Sequence, residues 1–402
     1  MADLLTLDEA QALVLARARP LGSEPVAIGR ALGRVTAAAV NARVDLPPFA
    51  SSAMDGYAVR AADLPGSLRV VDRVAAGGPS AHELASGEAI EISTGGVVPS
   101  GADAVVPVEY VVHRDNERID VAERPAHGAH IRPRGGDVAL GAEVVGAAVR
   151  LGAVQVGALA AAGVAELECA RRPRVALLAT GSELAAPGEP LAPGQIYESN
   201  GLMLAAALAS SGADIELLPR VADDDSAHRA ALERGLAADV LVSSGGVSVG
   251  PHDLVRRVEA ELGVEEVFWR VAIKPGKPVS FGVRGATLVF GLPGNPVSSL
   301  VGCELFVKPA LRALQGLRRP LPRLETGRLA TGLRRNDARD EFVRARFRLD
   351  SDGGAMLEPL SGQESHMIAR AATADALVHV PRGEGELPAG ASISWLRLGL
   401  LE

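Results

Sequence analysis

The sequence predicts a multidomain α/β protein: a central doubly wound parallel-sheet domain, a helical and extended N-terminal domain, a small β-rich domain and a C-terminal β-barrel-like domain. Three observations carry this. Short apolar runs break into glycine and hydroxyl turns that lead into helix-sized segments: "RVALLAT" then "GSEL", "DVLVSS" then "GGVSVGPHD", "TLVFGL" then "PGNPVSSL". Strands alternating with helices imply a parallel sheet covered on both faces. Short alternating runs separated by Gly, Pro and Asp fill Ser67 to Val138 and recur from Arg328 onward, which reads as β structure. At 402 residues, the chain exceeds what a single core of about 250–300 residues accommodates.

In chain order, Thr6 before Leu7, Asp8 and Glu9 opens a helix that buries Leu13, Val14 and Ala18 and ends before Pro20. A second helix-like turn spans Ile28 to Leu32. Pro47 and Pro48 force an extended entry into "FASSAMDGYAV", where Gly56 permits a tight path beside Asp55. "LGAVQVGALAAAGVAELE" returns to helix and stops at Gly163. In the α/β region Asn200 is expected to cap a helix that ends at Gly212, Pro251 fits a first helical position, and Asn295 with Pro296 starts the last helix. In "EFVRARFRL" Val343, Ala345, Phe347 and Leu349 fall on one face and Arg344, Arg346 and Arg348 on the other. The domain boundaries read as 1–46 with 139–172, then 47–138, 173–318 and 319–402.

Composition excludes several classes. A net charge of -8, with no Lys/Arg run interleaved with aromatics, argues against a nucleic-acid partner. Cys169 and Cys303 form no C-x-x-C pair, so a reduced, cytoplasmic protein is expected. The N-terminus lacks the basic start and apolar core of a secretory signal. Gly141 to Leu167, interrupted by Glu143, Arg150 and Gln155, reads as a packed helix rather than a membrane span.

The loops at the carboxyl ends of the strands, where open α/β sheets bind ligands, carry chemistry-bearing residues. Glu183, Asp223 and Asp253 offer carboxylates for a hard divalent ion such as Mg²⁺. Lys274, Lys277 and the amides of Ser244 to Gly246 suit anionic oxygens. The combination fits phosphoryl or nucleotidyl chemistry. Each piece also has a structural reading: a helix-dipole partner for Asp253, a solvated cap for the Asp223 region, surface lysines. Arg132 and Arg134 beside paired glycines form either an anion clamp or a salt-bridged hairpin, the second being favoured locally. No Walker loop, G-x-G-x-x-G opening or Ser-His-Asp set is visible.

Taken together, "PPFASSAMDGYAV", "STGGVVPSGADAVV", "IRPRGGDV", "LLATGSEL", "IYESN", "SSGGVSVGPHD", "AIKPGKP" and "GLPGNPVSS" occur in an order that closely resembles the MoeA-type molybdopterin molybdenumtransferases, which include the E domain of gephyrin. The resemblance spans essentially the whole chain. It implies that the parallel-sheet domain binds molybdopterin, and that the activity is insertion of molybdate into adenylylated molybdopterin with divalent-metal-dependent hydrolysis and release of AMP. It further implies a homodimer, with the active site shared between the α/β domain of one subunit and the β-rich domain of the other, and an adenylyltransferase as the upstream partner.

The residues the resemblance implies are Asp55, Asp137, Glu183, Asp223, Asp253, Lys274 and Lys277 for catalysis, with Glu183, Asp223 and Asp253 managing the metal. Substrate binding falls to Thr94, Arg132, Ser244, Gly245, Gly246, Ser248, Pro293, Gly294, Asn295, Pro296 and Ser365. Ala50, Ser51 and Gly136 depart from the usual pattern, and Asp223 is preferred to Asp224. An adenylyltransferase and a pterin-binding scaffold without turnover are the alternatives.

Overall fold

The computed structural model describes residues 4–114, 117–221, 225–246 and 254–399. They divide into two compact units, Met1–Glu24 with Ala170–Glu402, and Pro25–Cys169.

The first unit opens on α1 (Leu7–Arg17). Thr6 Oγ1 accepts from the Glu9 N–H at 3.2 Å while the Glu9 carboxylate accepts from the Thr6 N–H at 2.8 Å, a reciprocal cap that satisfies two otherwise orphaned donors. Next comes a six-stranded sheet with β1 (Arg174–Ala179), β2 (Asp214–Leu217), β3 (Val240–Ser244), β4 (Glu265–Trp269), β5 (Ser280–Arg284) and β6 (Thr287–Leu292). Its order is β2-β1-β3-β6-β5-β4. The β2, β1, β3 and β6 strands are parallel, as the sequence pattern demands, whereas β5 runs antiparallel to both its neighbours.

Alternate side chains feed two cores, which is the physical content of double winding. Val175, Leu177, Val242 and Phe290 pack with Leu204 and Leu208 of α2 (Asn200–Ala209) and with Phe306. Ala176, Leu178, Leu241 and Val289 pack on the other face with Leu232 of α3 (Asp225–Gly235) and Val255 and Val258 of α4 (Leu254–Glu261). After β6, α5 (Pro296–Gly302) passes through a π turn at Cys303–Val307 into α6 (Lys308–Leu314). Burial pushes the Cys303 thiol well above its ordinary pKa, so it stays a protonated packing group.

The same unit ends in a closed five-stranded barrel of strands Glu325–Leu329, Asp340–Leu349, Ala355–Pro359, Ala376–Val380 and Ser392–Arg397. Closure follows because Asp340–Leu349 pairs with both Ala355–Pro359 and Ala376–Val380, leaving no free edge among these five. Arg344, on the opposite face of its strand from Val343 and Ala345, is nevertheless 1 % exposed. The arginine is tolerated inside because every direction of its guanidinium meets an acceptor, as described below.

In the second unit, strands Ala104–Pro107, Gly56–Val59, Glu88–Ile92, Gly66–Val74, Arg118–Val121 and Val111–Arg114 form one sheet in that spatial order. The Gly141 to Leu167 stretch is not one helix. Only Ala153–Ala161 is helical, between strands Glu143–Val145 and Glu166–Ala170, with Gly163 at φ 79° just past the helix end. Among the described residues no helix is long and apolar enough to cross a membrane.

Gly56 is required by proximity rather than by its own dihedrals. A Cβ there would lie 2.0 Å from the Val106 carbonyl oxygen across the strand pair. Gly56→Ala is therefore expected to destabilise the chain by about 1–3 kcal/mol through overpacking, read as a lowered urea midpoint. An unchanged midpoint would contradict the packing account.

Candidate functional site

The carboxyl ends of β1, β3 and β6 open into a cleft of about 740 Å³ within the first unit. Its floor is backbone. Gly245 at φ 99° leaves no room for a side chain, since a Cβ would lie 2.8 Å from the Thr180 carbonyl oxygen. Gly246, at φ 68°, would drive a Cβ into Val255 at 2.5 Å. These left-handed positions suit glycine alone; the Gly245 N–H donates to Leu292 O at 3.0 Å, so of the amides expected to meet anionic oxygen this one is already engaged within the fold. Ser244 to Gly246 and Pro293 to Pro296, the two loops nominated from sequence, both line the cleft.

Glu183 stands at the rim on the turn after β1. Its carboxylate folds over Gly181, where a Cβ would lie 2.5 Å from Oε2. No hydrogen-bond or ion-pair partner holds that carboxylate among the described residues. It is an exposed charge that no described residue uses.

The opposite wall comes from the barrel. Asn295 Nδ2 donates to Ser365 Oγ at 2.9 Å, and the Val297 N–H donates to the Ser365 carbonyl at 3.0 Å. The helix start at Asn295 and Pro296 is thus as expected, but the Asn295 side chain serves the neighbouring loop rather than capping its own helix. His366, which sequence reasoning missed, lines the cleft next to Ser365. Arg344 fixes this loop from beneath. Its Nη1 donates to Met367 O at 2.8 Å, its Nη2 to Gly362 O at 2.8 Å and Glu364 O at 3.1 Å, and its Nε to Gln363 Oε1 at 3.3 Å. Burial pulls its pKa below the ordinary arginine value, yet an arginine retains its proton throughout the physiological range.

The lysines differ. Lys274 Nζ donates to Glu341 Oε1 at 2.8 Å, on the barrel strand with which Ile273–Lys274 pairs. Lys277 is exposed, beside the cleft-lining Pro278. Neither lysine lines the cleft floor. Asp223, Ser248 and Asp253 lie outside the described residues, as does Pro251.

Asn200 also departs from expectation. It begins α2 instead of capping it; Ser199 precedes the helix without a side-chain cap, and Glu198 Oε1 accepts the Gly201 N–H at 2.7 Å. The Asn200 amide turns inward to Ser244 and Gly294.

The second unit gathers another group by itself. Asp55 Oδ1 accepts from the Thr94 N–H at 2.7 Å, and the Gly95 N–H donates to Ser52 O at 2.8 Å. Arg132 pairs with Ser51 in a two-stranded ladder, so Asp55, Thr94 and Arg132 all hang on the Ser51–Ser52 segment. Asp137 is placed by its N–H to Leu46 O at 2.8 Å. Arg134 is engaged with Asp45 at 2.6 Å, so of the two arginines it takes the salt-bridged role. That arginine, after the still larger effect of the Leu140 N–H, holds the Asp45 carboxyl below its usual pKa.

Among the described residues no group of three or more His, Cys, Asp or Glu is placed to hold a metal ion.

Comparison with known proteins adds the lineage. Residues 5–163 match the MoeA N-terminal region (domain I and II), 176–313 the probable molybdopterin binding domain, and 326–398 the MoeA C-terminal region (domain IV). Molybdopterin molybdenumtransferase 2 of Mycobacterium tuberculosis is 36% identical over 403 residues, covering 96% of this chain and 98% of that protein. Molybdopterin molybdenumtransferase of Haemophilus influenzae is 34% identical over 399 residues, covering 97% and 98%. A crystal structure of molybdopterin biosynthesis moeA protein from Pyrococcus horikoshii OT3 superposes with a TM-score of 0.84 at 27% identity, covering 98% of this chain and 100% of that one. With all three family regions present in order and relatives this similar along the whole length, the chain belongs to the MoeA family of molybdopterin molybdenumtransferases.

Proposed function

We propose that this chain is a cytoplasmic enzyme of molybdenum cofactor biosynthesis that binds adenylylated molybdopterin, hydrolyses the adenylate, and inserts molybdate into the dithiolene with release of AMP. The observation that supports it best is the cleft itself. Two glycine loops present backbone to a ligand at the switch edge of a parallel sheet, and an unpartnered carboxylate, Glu183, stands at the rim.

In this reading the Ser244–Gly246 loop, Ser248 and the Pro293–Pro296 loop cradle the pterin nucleotide, and Ser365 closes it from the barrel side. Water adds to one phosphorus of the phosphoanhydride, the bridging P–O bond breaks, and AMP departs with the protons of the water released to solvent. The two dithiol sulfurs then replace one molybdate oxygen, which leaves as water carrying the two thiol protons, with no change in oxidation state. Lys277, Lys274 and Arg132 attract molybdate and phosphate oxygens, and Asp55, Thr94 and Asp137 order the second group of polar residues. Lys274 must share its charge with Glu341, so Lys277 carries the larger part of that attraction. Mg²⁺, held by Glu183, Asp223 and Asp253, would supply neutralisation of phosphate charge.

The proposal includes a homodimer supplied by a molybdopterin adenylyltransferase. Mixing and re-forming dimers of Asp55→Ala and Glu183→Ala variants should recover about a quarter of wild-type activity, since half the dimers are mixed and each holds one intact site. No recovery would argue that both residues act within one subunit.

The test of function is AMP release from adenylylated molybdopterin with Mg²⁺ as molybdate is titrated. Release that rises with molybdate supports insertion. Tight pterin binding without turnover favours a scaffold, and net adenylate formation from ATP favours the adenylyltransferase.

A further inference from the structure

We infer that Asn200 is a positioning residue that locks the two glycine loops of the cleft at the spacing that receives the pterin nucleotide. The inference rests on the function proposed above. Its basis is a closed circuit of hydrogen bonds. Asn200 Nδ2 donates to Gly294 O at 2.7 Å and to Ser244 Oγ at 2.9 Å. Ser244 Oγ meets Ser299 Oγ at 3.3 Å, and Ser299 Oγ donates to Pro293 O at 2.5 Å. One amide thus joins the end of β3, the turn after β6 and the start of α2. Gly294 O can only accept, so it fixes which end of the amide faces it.

The loops approach closely enough that a Cβ added to Gly294 would touch Gly245 Cα, at 3.7 Å. A short tie across them therefore sets the width of the cleft. Glu198 already accepts the Gly201 N–H of α2, which frees Asn200 from capping.

Asn200 Oδ1 is buried and has no hydrogen-bond partner among the described residues. That unpaired acceptor offsets what the two donated bonds contribute to folding. A residue with this balance matters to the geometry of the site more than to stability.

Asn200→Asp keeps the shape but, when ionised, has no hydrogen to donate and sets an anionic oxygen against Gly294 O. Asn200→Ala removes the tie and also the unpaired oxygen. Both variants should raise KM for adenylylated molybdopterin at least about tenfold, with kcat changed much less and the Asn200→Ala melting temperature close to wild type. A ligand-free reading separates this claim from the functional one. The Gly245 amide is bonded to Leu292 O and the Val297 amide to Ser365 O, each at 3.0 Å. Hydrogen exchange at these two amides should quicken in Asn200→Ala while exchange in the barrel strands does not. Failure of the function leaves this exchange result standing. Unchanged exchange at both amides, or a wild-type KM in both variants, would overturn the inference.

Discussion

Glu183→Gln should lower molybdate-dependent AMP release by about 10²- to 10³-fold, the scale seen when a group aimed at developing charge is removed, and leave folding stability within about 0.5 kcal/mol of wild type. The two halves of this result have one cause. The carboxylate lies over Gly181 at the rim of the cleft, and no described residue uses its charge, so the fold loses nothing when it is neutralised. Glutamine keeps the length and the oxygen but not the anion. Gly181→Ala should reproduce part of the defect, because a Cβ at φ 148° would displace the same carboxylate. Full activity in Glu183→Gln would remove Glu183 from the catalytic set.

Arg344→Leu should be the most destabilising single change proposed, at about 2–4 kcal/mol in urea unfolding, because the carbonyls of a half-buried loop lose their shared donor together. Gly362 O, Glu364 O and Met367 O would remain without the arginine, while Gln363 would keep the backbone N–H of residue 344 on its Oε1 and its own donated bonds to the residue 344 carbonyl and Leu360 O. The damage should also reach the cleft. The loop that Arg344 ties down carries Ser365, the partner of Asn295, and His366. Arg344→Lys keeps the charge but cannot reproduce the planar fork, so it should fall between wild type and leucine in both stability and KM. A leucine variant as stable as wild type would contradict the role assigned to this side chain.

How far the sequence was legible depended on whether the deciding interactions were local. The Thr6–Glu9 cap and the apolar runs of β1, β3 and β6 declared themselves, because three-residue capping and a continuous buried strand leave a pattern within the segment. The β4–β5 extension did not. "VEEVFWRVAIKPGKPVSFGV" mixes charge with apolar residues because Glu265 and Glu266 are solvated while Phe268 and Phe281 enter the core. Alternation put Arg344 on the face opposite Val343 and Ala345 but did not show that it is buried. The acceptors that make its burial tolerable come from residues 362–367, which alternation within one strand cannot reveal.

The cleft was legible as motifs rather than as geometry. Ser244 to Gly246 and Pro293 to Pro296 were nominated and do line one cavity. Asn200 was taken for a helix cap because asparagine before an apolar helix usually is one, and its inward bonds depend on loops 44 and 94 residues away. The Lys274–Glu341 pair is similarly non-local, resting on the parallel pairing of Ile273–Lys274 with Asp340–Glu341.

Under the proposed function, hydrolysis of the adenylate and insertion of molybdate are one coupled process at this cleft. It is tested most directly in a single turnover, with enzyme in excess over adenylylated molybdopterin, by quantifying AMP and molybdenum-bearing pterin in the same quenched samples. Both should appear together in equal amounts, and neither without molybdate. Rapid AMP formation that is indifferent to molybdate and leaves the pterin without metal would contradict it.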